Sequence, residues 1–207
     1  MCIICVKPAG VDLPTEECLQ NMWVNNPDGA GFMYCENNQV IIRKGFMTYR
    51  DFITALYRHV DIDTPAVIHY RWATHGLVDG LRCHPFAVHG KNKTYQVTDL
   101  GVAHNGILHR FADKNSDKSD TQLFAEKYLS KLTLEDLRDP AEKCKLYAII
   151  GNTNKLAFLD KDRQLTLFGH FIHDEDGCMY SNTSYLDDEY RMFQQLSRRG
   201  LIPTKNY

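Results

Sequence analysis

Cys2 follows Met1 directly, so removal of one methionine gives a residue carrying both a thiol and a free α-amino group. An amine with a reference pKa of about 7.7–8.0 beside a thiol of about 8.5 can take the thiol proton directly or through one water. The pair is a nucleophile with its own base. A small residue at position 2 is of the type that permits methionine removal. Chain termini usually fray, which leaves a structural cysteine little reason to stand there. The plainer reading of Cys2-Ile-Ile-Cys5 is two small apolar residues in a first strand.

Three further segments bear on that choice. They are His69-Tyr70-Arg71-Trp72-Ala73-Thr74-His75-Gly76, Ala103-His104-Asn105-Gly106-Ile107-Leu108 and Ser119-Asp120-Thr121. Together with Cys2 they closely resemble class II glutamine amidotransferase domains, the N-terminal-nucleophile (Ntn) hydrolases that free ammonia from glutamine. Asn26-Pro27-Asp28-Gly29-Ala30-Gly31 resembles the glycine turn of that family, and Cys83-His84-Pro85-Phe86 its HPF segment. The matches run in family order from Cys2 to Asp120, just over half the chain. The resemblance implies an α+β fold, a four-layer αββα sandwich of the Ntn-hydrolase type, with Cys2 at the start of a central strand.

The resemblance also implies roles, and each suits the residue type. A guanidinium presents a planar fork matched to an α-carboxylate, the part implied for Arg71; its plainer reading is a surface ion pair. Asp120 is implied as acceptor for the substrate α-ammonium, although an acid beside Ser119 also suits a helix cap. Attack on an amide builds an oxyanion that needs preorganised donors, implied here as the Asn105 side chain and the Gly106 backbone. An Asn-Gly turn joining two strands is the alternative at that position. Thr74, His75 and Gly76 are implied to line the glutamine pocket, and Trp72 either lines it or packs in the core. A Cys–His dyad with His75 is disfavoured because the terminal amine already supplies a base. Two departures bear on specificity: Gln122 stands where an acid often follows Ser-Asp-Thr, and the glycine turn lacks the preceding Arg-Gly of many biosynthetic members.

On this reading the chain is a glutamine amidohydrolase that works through a γ-glutamyl thioester, with no metal or organic cofactor. The family's multidomain enzymes begin a synthase or transferase domain near where this chain stops, so the ammonia acceptor is expected on a separate acceptor or synthetase protein. Rival readings are an Ntn amidase acting on another γ-glutamyl compound or small amide, and a non-catalytic regulatory module that keeps the fold. Intact Cys2 and Asn105 argue against the latter.

Composition sets the frame. The 207 residues, 43% hydrophobic and 11% aromatic, can bury a sizeable core, read here as one domain over residues 1–207. Basic and acidic residues number 24 and 26, a formal charge of −2, which points to neither a nucleic acid nor a membrane surface as partner. Seven cysteines form no even framework, and no signal peptide or long apolar span is evident, so a reduced, cytoplasmic protein is expected. Cys2-Ile-Ile-Cys5 has no second pair to complete a zinc site. His170 and His173 lack a third ligand nearby and are read as structural or exposed.

The elements that must position these residues follow from pattern. A first strand spans 2–6, and Pro14-Thr15-Glu16-Glu17 opens a helix carrying Leu19, Met22 and Trp23. Runs at 32–35 and 39–43 flank Asn37-Asn38, a hairpin. Thr48 caps a helix with Phe52, Leu56 and Val60 at helical spacing, and Pro65 introduces a strand over 66–70. Further strands are expected at 94–97, 101–104, 146–150, 156–159 and 165–168. Ser119 with Gln122 reads as a capping box opening a helix to Leu132, another helix is expected over 187–199, and 201–207 reads as a tail. Residues 114–118 are polar enough for a mobile loop. Strands and helices in blocks argue for sheets with helices outside.

Overall fold

A computed structural model describes residues 1–73, 78–113, 115–189 and 192. The first strand, β1 (Ile3–Lys7), is wholly buried, and Thr15 caps α1 (Glu16–Asn25) by accepting the Cys18 N–H. The hairpin forms from β2 (Ala30–Glu36) and β3 (Gln39–Phe46), turning through Asn37 and Asn38 at φ 51 and 57. Asparagine tolerates this left-handed region better than most residues. Thr48 caps α2 (Tyr49–His59), and β4 (Ala66–Tyr70) follows.

A short β5 (Phe86–Ala87), then β6 (Tyr95–Thr98) and β7 (Leu100–Asn105), precede α3 (Asp120–Lys127). Ser119 Oγ accepts the Gln122 N–H at 3.1 Å, but the Gln122 side chain turns forward to Glu126, so only half of the capping box forms. The α-helix ends at Lys127 and a 3₁₀ turn (Leu129–Lys131) continues the path. Then come α4 (Pro140–Ile150), β8 (Lys155–Asp160), β9 (Leu165–Phe168), β10 (Ile172–His173) and β11 (Met179–Tyr180).

One expectation is corrected: residues 146–150 are the last turns of α4, not a strand. Asp139 accepts the Ala141 N–H and Pro140 occupies the first turn, where its missing N–H is no loss. That start carries the apolar Leu-Tyr-Ala-Ile-Ile run as helix until Gly151 at φ 72. Of the helix expected over 187–199 and the tail at 201–207, nearly all lies outside the described residues.

Two antiparallel sheets result. One has seven strands in the order β10-β11-β1-β4-β2-β3-β6, and the other four in the order β5-β7-β8-β9. Strand alternation distributes side chains among three apolar clusters. Ile3, Cys5, Phe32, Tyr34 and Ile68 face α1 and α2, meeting Leu19, Met22, Phe52 and Leu56. Val102, Leu156 and Phe158 face α3 and α4, meeting Phe124, Leu146 and Ile150. Ile4, Val6, Met33, Ile42 and Val67 meet Ala103, Ala157 and Leu159 between the sheets. The layers are therefore αββα. Close approach of the sheets depends on small residues: a Cβ on Gly101 would lie 2.4 Å from Met33 Sδ.

Candidate active site

The same alternation selects the site. On β1 the even positions Ile4 and Val6 face the other sheet, and Cys2 continues that series just before the strand. On β4 Val67 faces inward and Arg71, four residues on, follows in phase; on β7 Ala103 leads to Asn105. Alternation has period two, so all three residues emerge on the inter-sheet side. A small cleft of about 90 Å³ is lined by Cys2, Arg71, Trp72, Asn105, Gly106 and Asp120, with His84, Arg82, His104 and Thr121 beside them. Thr74, His75 and Gly76 lie outside the described residues.

The Cys2 thiol is held by the chain that follows β4. Trp72 N–H donates to Sγ at 3.4 Å, and Sγ lies 3.6 Å from the Trp72 carbonyl. Burial pushes the thiol pKa up, while the Trp72 N–H, the terminal ammonium and the Arg71 guanidinium pull it down. Met1 is attached and 70% exposed, so the Cys2 nitrogen is here an amide. The Trp72 side chain is 46% exposed and is not a core residue.

The glycine turn sets the path of residues 71–73. Arg71 N–H donates to the Gly29 carbonyl at 2.8 Å, Asp28 N–H to the Arg71 carbonyl at 3.0 Å, and Ala73 N–H to Asp28 Oδ2 at 2.7 Å. Gly29 has φ 108, and a Cβ there would meet Cys83 Sγ at 2.7 Å. That conformation and that approach both require glycine. Arg71 itself is 94% buried by its 6% exposure.

Asn105 ends β7 and Gly106 leads into the segment before α3, so the two do not form a two-residue hairpin turn. Gly106 has φ 146, and a Cβ would lie 2.1 Å from Asn154 Oδ1. Asn154 is itself fixed, donating from Nδ2 to the Ile150 carbonyl at 2.7 Å and standing 2.8 Å from His104 Nε2 through Oδ1. An amide oxygen only accepts, so His104 Nε2 carries the proton. Its Nδ1 then takes the Thr121 hydroxyl at 2.7 Å. Burial lowers the His104 pKa, which keeps the ring neutral in this role.

Asp120 is bound from two sides. Its Oδ2 accepts the Leu108 N–H at 2.7 Å and its Oδ1 the Thr121 N–H at 2.7 Å. A carboxylate offers about four acceptor positions, so two remain for a cation in the cleft. Ser119, not Asp120, is the helix cap. Behind the cleft, His69 and His84 lie with ring centroids 4.2 Å apart. Burial lowers the pKa of His69 to about 3 and holds that of His84 well below the ordinary range. Neither supplies a proton near neutral pH.

His104, Thr121, Ser181 and Asn182 support the site without having been singled out by sequence. Asn182 Nδ2 donates to the Cys2 carbonyl at 2.7 Å, and Ser181 Oγ lies 2.9 Å from Asn105 Nδ2. His104 and Thr121 stand inside two of the quoted segments, beside Asn105 and Asp120, but no role was read for them there; Ser181 and Asn182 carried no signal. The seven cysteines are all free thiols.

The chain is similar to known proteins over part of its length. It is 31% identical over 87 residues to the glutamine–fructose-6-phosphate aminotransferase (isomerizing) of Chlamydia pneumoniae, covering 42% of this chain and 13% of that protein. The chain thus matches only a small part of the length of this amidotransferase relative. Among solved structures, the glutamine phosphoribosylpyrophosphate (PRPP) amidotransferase from B. subtilis, complexed with ADP and GMP, aligns with a TM-score of 0.47 and 20% identity. That alignment covers 78% of this chain and 35% of the amidotransferase chain. No family model matches. No helix among the described residues is long and apolar enough to cross a membrane.

Proposed function

We propose that residues 1–207 act as one amidotransferase-like domain that hydrolyses glutamine through Cys2. The observation that carries this reading is the convergence of the Cys2 thiol, the Asn105 amide and the Arg71 guanidinium on one cleft at the ends of three strands. Arg71 takes the α-carboxylate through its fork, and Asp120, with acceptor positions to spare, takes the α-ammonium. Trp72 lines the cleft, and Thr74, His75 and Gly76, next in sequence, are assigned to glutamine binding with it.

Once Met1 is removed, the freed Cys2 amine accepts the thiol proton and the sulfur attacks the side-chain amide carbon. Asn105 and the Gly106 N–H receive the developing oxyanion. The Cys2 ammonium returns the proton to the leaving nitrogen, the C–N bond breaks and ammonia departs. A γ-glutamyl thioester remains, and water activated by the same amine hydrolyses it to glutamate and restores the thiol. Free thiols suit a reduced, cytoplasmic setting. The ammonia is consumed by a separate acceptor or synthetase protein, with glutamine the small-molecule substrate.

Intact mass and peptide mapping of purified protein, with and without a glutamine-derived electrophile, test the reading. Loss of Met1 and one adduct on Cys2, absent in Cys2→Ala and retained in Cys5→Ala, are expected. Full glutamine turnover by chains that keep Met1 would sink the terminal-amine mechanism. Adducts on Cys5 or Cys83 that spare Cys2 would displace the nucleophile.

A further inference from the structure

Ser181 follows β11 and is 1% exposed, yet it touches both halves of the site. Its N–H donates to the Ile4 carbonyl at 2.9 Å and its Oγ receives the Ile4 N–H at 2.8 Å, which docks it onto β1. On the other side Oγ stands 2.9 Å from Asn105 Nδ2 on β7. In that orientation two N–H donors converge on the hydroxyl, and the buried Oδ1 of Asn105 has no hydrogen-bond partner. Among the described residues no acceptor is found for the Ser181 hydroxyl proton. A buried acceptor left unpaired keeps its full desolvation cost.

The oxygen and nitrogen of a side-chain amide are distinguished by their hydrogen bonds rather than by their shape. Half a turn of the Asn105 amide gives both groups a partner and leaves Nδ2, in place of Oδ1, as the amide atom without one. Oδ1 then accepts the Ser181 hydroxyl proton, and Ser181 Oγ still accepts from Ile4. Asn105 lines the cleft whereas Ser181 does not, so the amide atom turned away from Ser181 is the one free to face the substrate. With the half turn that atom is the Nδ2 donor.

We propose that Ser181 is a positioning residue: its hydroxyl donates to Asn105 Oδ1 and thereby fixes the Asn105 N–H donor toward the cleft. The inference rests on the proposed function for the meaning of that donor. Ser181 touches neither substrate nor thiol and acts through Asn105. Its hold on β1 also ties the spacing of the donor to the strand that carries Cys2.

The test compares wild type, Ser181→Ala, Asn105→Ala and the double variant. Two rates are read: glutamine hydrolysis, and alkylation of Cys2 by iodoacetamide, which needs no oxyanion donor. Loss of one oriented hydrogen bond is expected to lower kcat about 10-fold in Ser181→Ala, with KM changed by less than about twofold and alkylation unchanged. The double variant should be no slower than Asn105→Ala, because the two act as one unit. Additive losses, or alkylation slowed in step with hydrolysis, overturn the proposal. Atomic-resolution density of the unliganded protein gives a readout without turnover: Nδ2 against Ser181 overturns it, and Oδ1 against Ser181 supports it. A wild type that hydrolyses no glutamine defeats the proposed function instead, and the density then decides the Ser181 contact alone.

Discussion

The backbone N–H of Trp72 donates to Cys2 Sγ at 3.4 Å, so the residue next to Arg71 holds the thiol in place. Arg71 also acts on that thiol through its charge, countering the upward push of burial. Replacing a nearby cation with a neutral amide removes a stabiliser of the thiolate. Arg71→Gln is therefore expected to move the half-point of Cys2 alkylation to higher pH and slow it about 3–10-fold at pH 8. An unchanged pH profile would remove Arg71 from the thiol's electrostatics.

Gly106 sits where no side chain has room. Its φ of 146 is left to glycine, and the modest Cβ of alanine would enter Asn154 Oδ1, the acceptor that fixes the His104 ring. Gly106→Ala should cost roughly 2–4 kcal/mol, through backbone strain and a broken buried network together. Urea denaturation reads this as a lower midpoint at unchanged m. A midpoint equal to wild type would contradict the packing at this turn.

Lys44 on β3 is a buried amine whose titration gives the fold a pH signature. It is 4% exposed, its Nζ lies 3.7 Å from the Phe86 ring centroid, and burial lowers its pKa to about 7. The unfolded chain holds that proton to about 10.4. Between pH 7 and 8 the unfolded state therefore binds more protons, and stability rises with pH by up to about 1.4 kcal/mol per unit from this residue. Below pH 7 both states are protonated and the slope vanishes. Lys44→Met should remove the rise, seen as the difference between the two proteins' unfolding free energies from pH 6 to 8. A constant difference across that range would mean Lys44 stays charged in the fold.

Local signals wrote much of this architecture into the chain. Pro65 and the apolar run behind it mark β4, which pairs Ile3 with Tyr70 through Lys7 with Ala66 on β1, and Asn37-Asn38 marks the hairpin. The Leu146–Ile150 run was open to misreading because five apolar residues fit a buried strand or a helix end equally. The deciding signal lay earlier, in Asp139-Pro140. Ser181 and Asn182 were illegible for a different reason. Their partners Ile4 and Cys2 are 177 and 180 residues away in sequence, and no local pattern encodes contacts of that range.

Ser119 and Asp120 separate two roles that sequence left joined. Ser119 Oγ takes the Gln122 N–H as the cap of α3, whereas the Asp120 carboxylate receives Leu108 and Thr121 N–H groups at the cleft. Ser119→Ala should cost about 0.5–2 kcal/mol of stability, as lost caps do. Asp120→Asn keeps one acceptor oxygen for Leu108 but abolishes the charge offered to an α-ammonium. It should raise KM for glutamine about 10–100-fold, since a charged hydrogen bond to substrate is worth a few kcal/mol, and lower stability modestly, because its Nδ2 would face the Thr121 N–H. Steady-state kinetics and thermal melts on both variants check the division. A Ser119→Ala protein with raised KM and intact stability, or an Asp120→Asn protein with the converse, would exchange the two assignments.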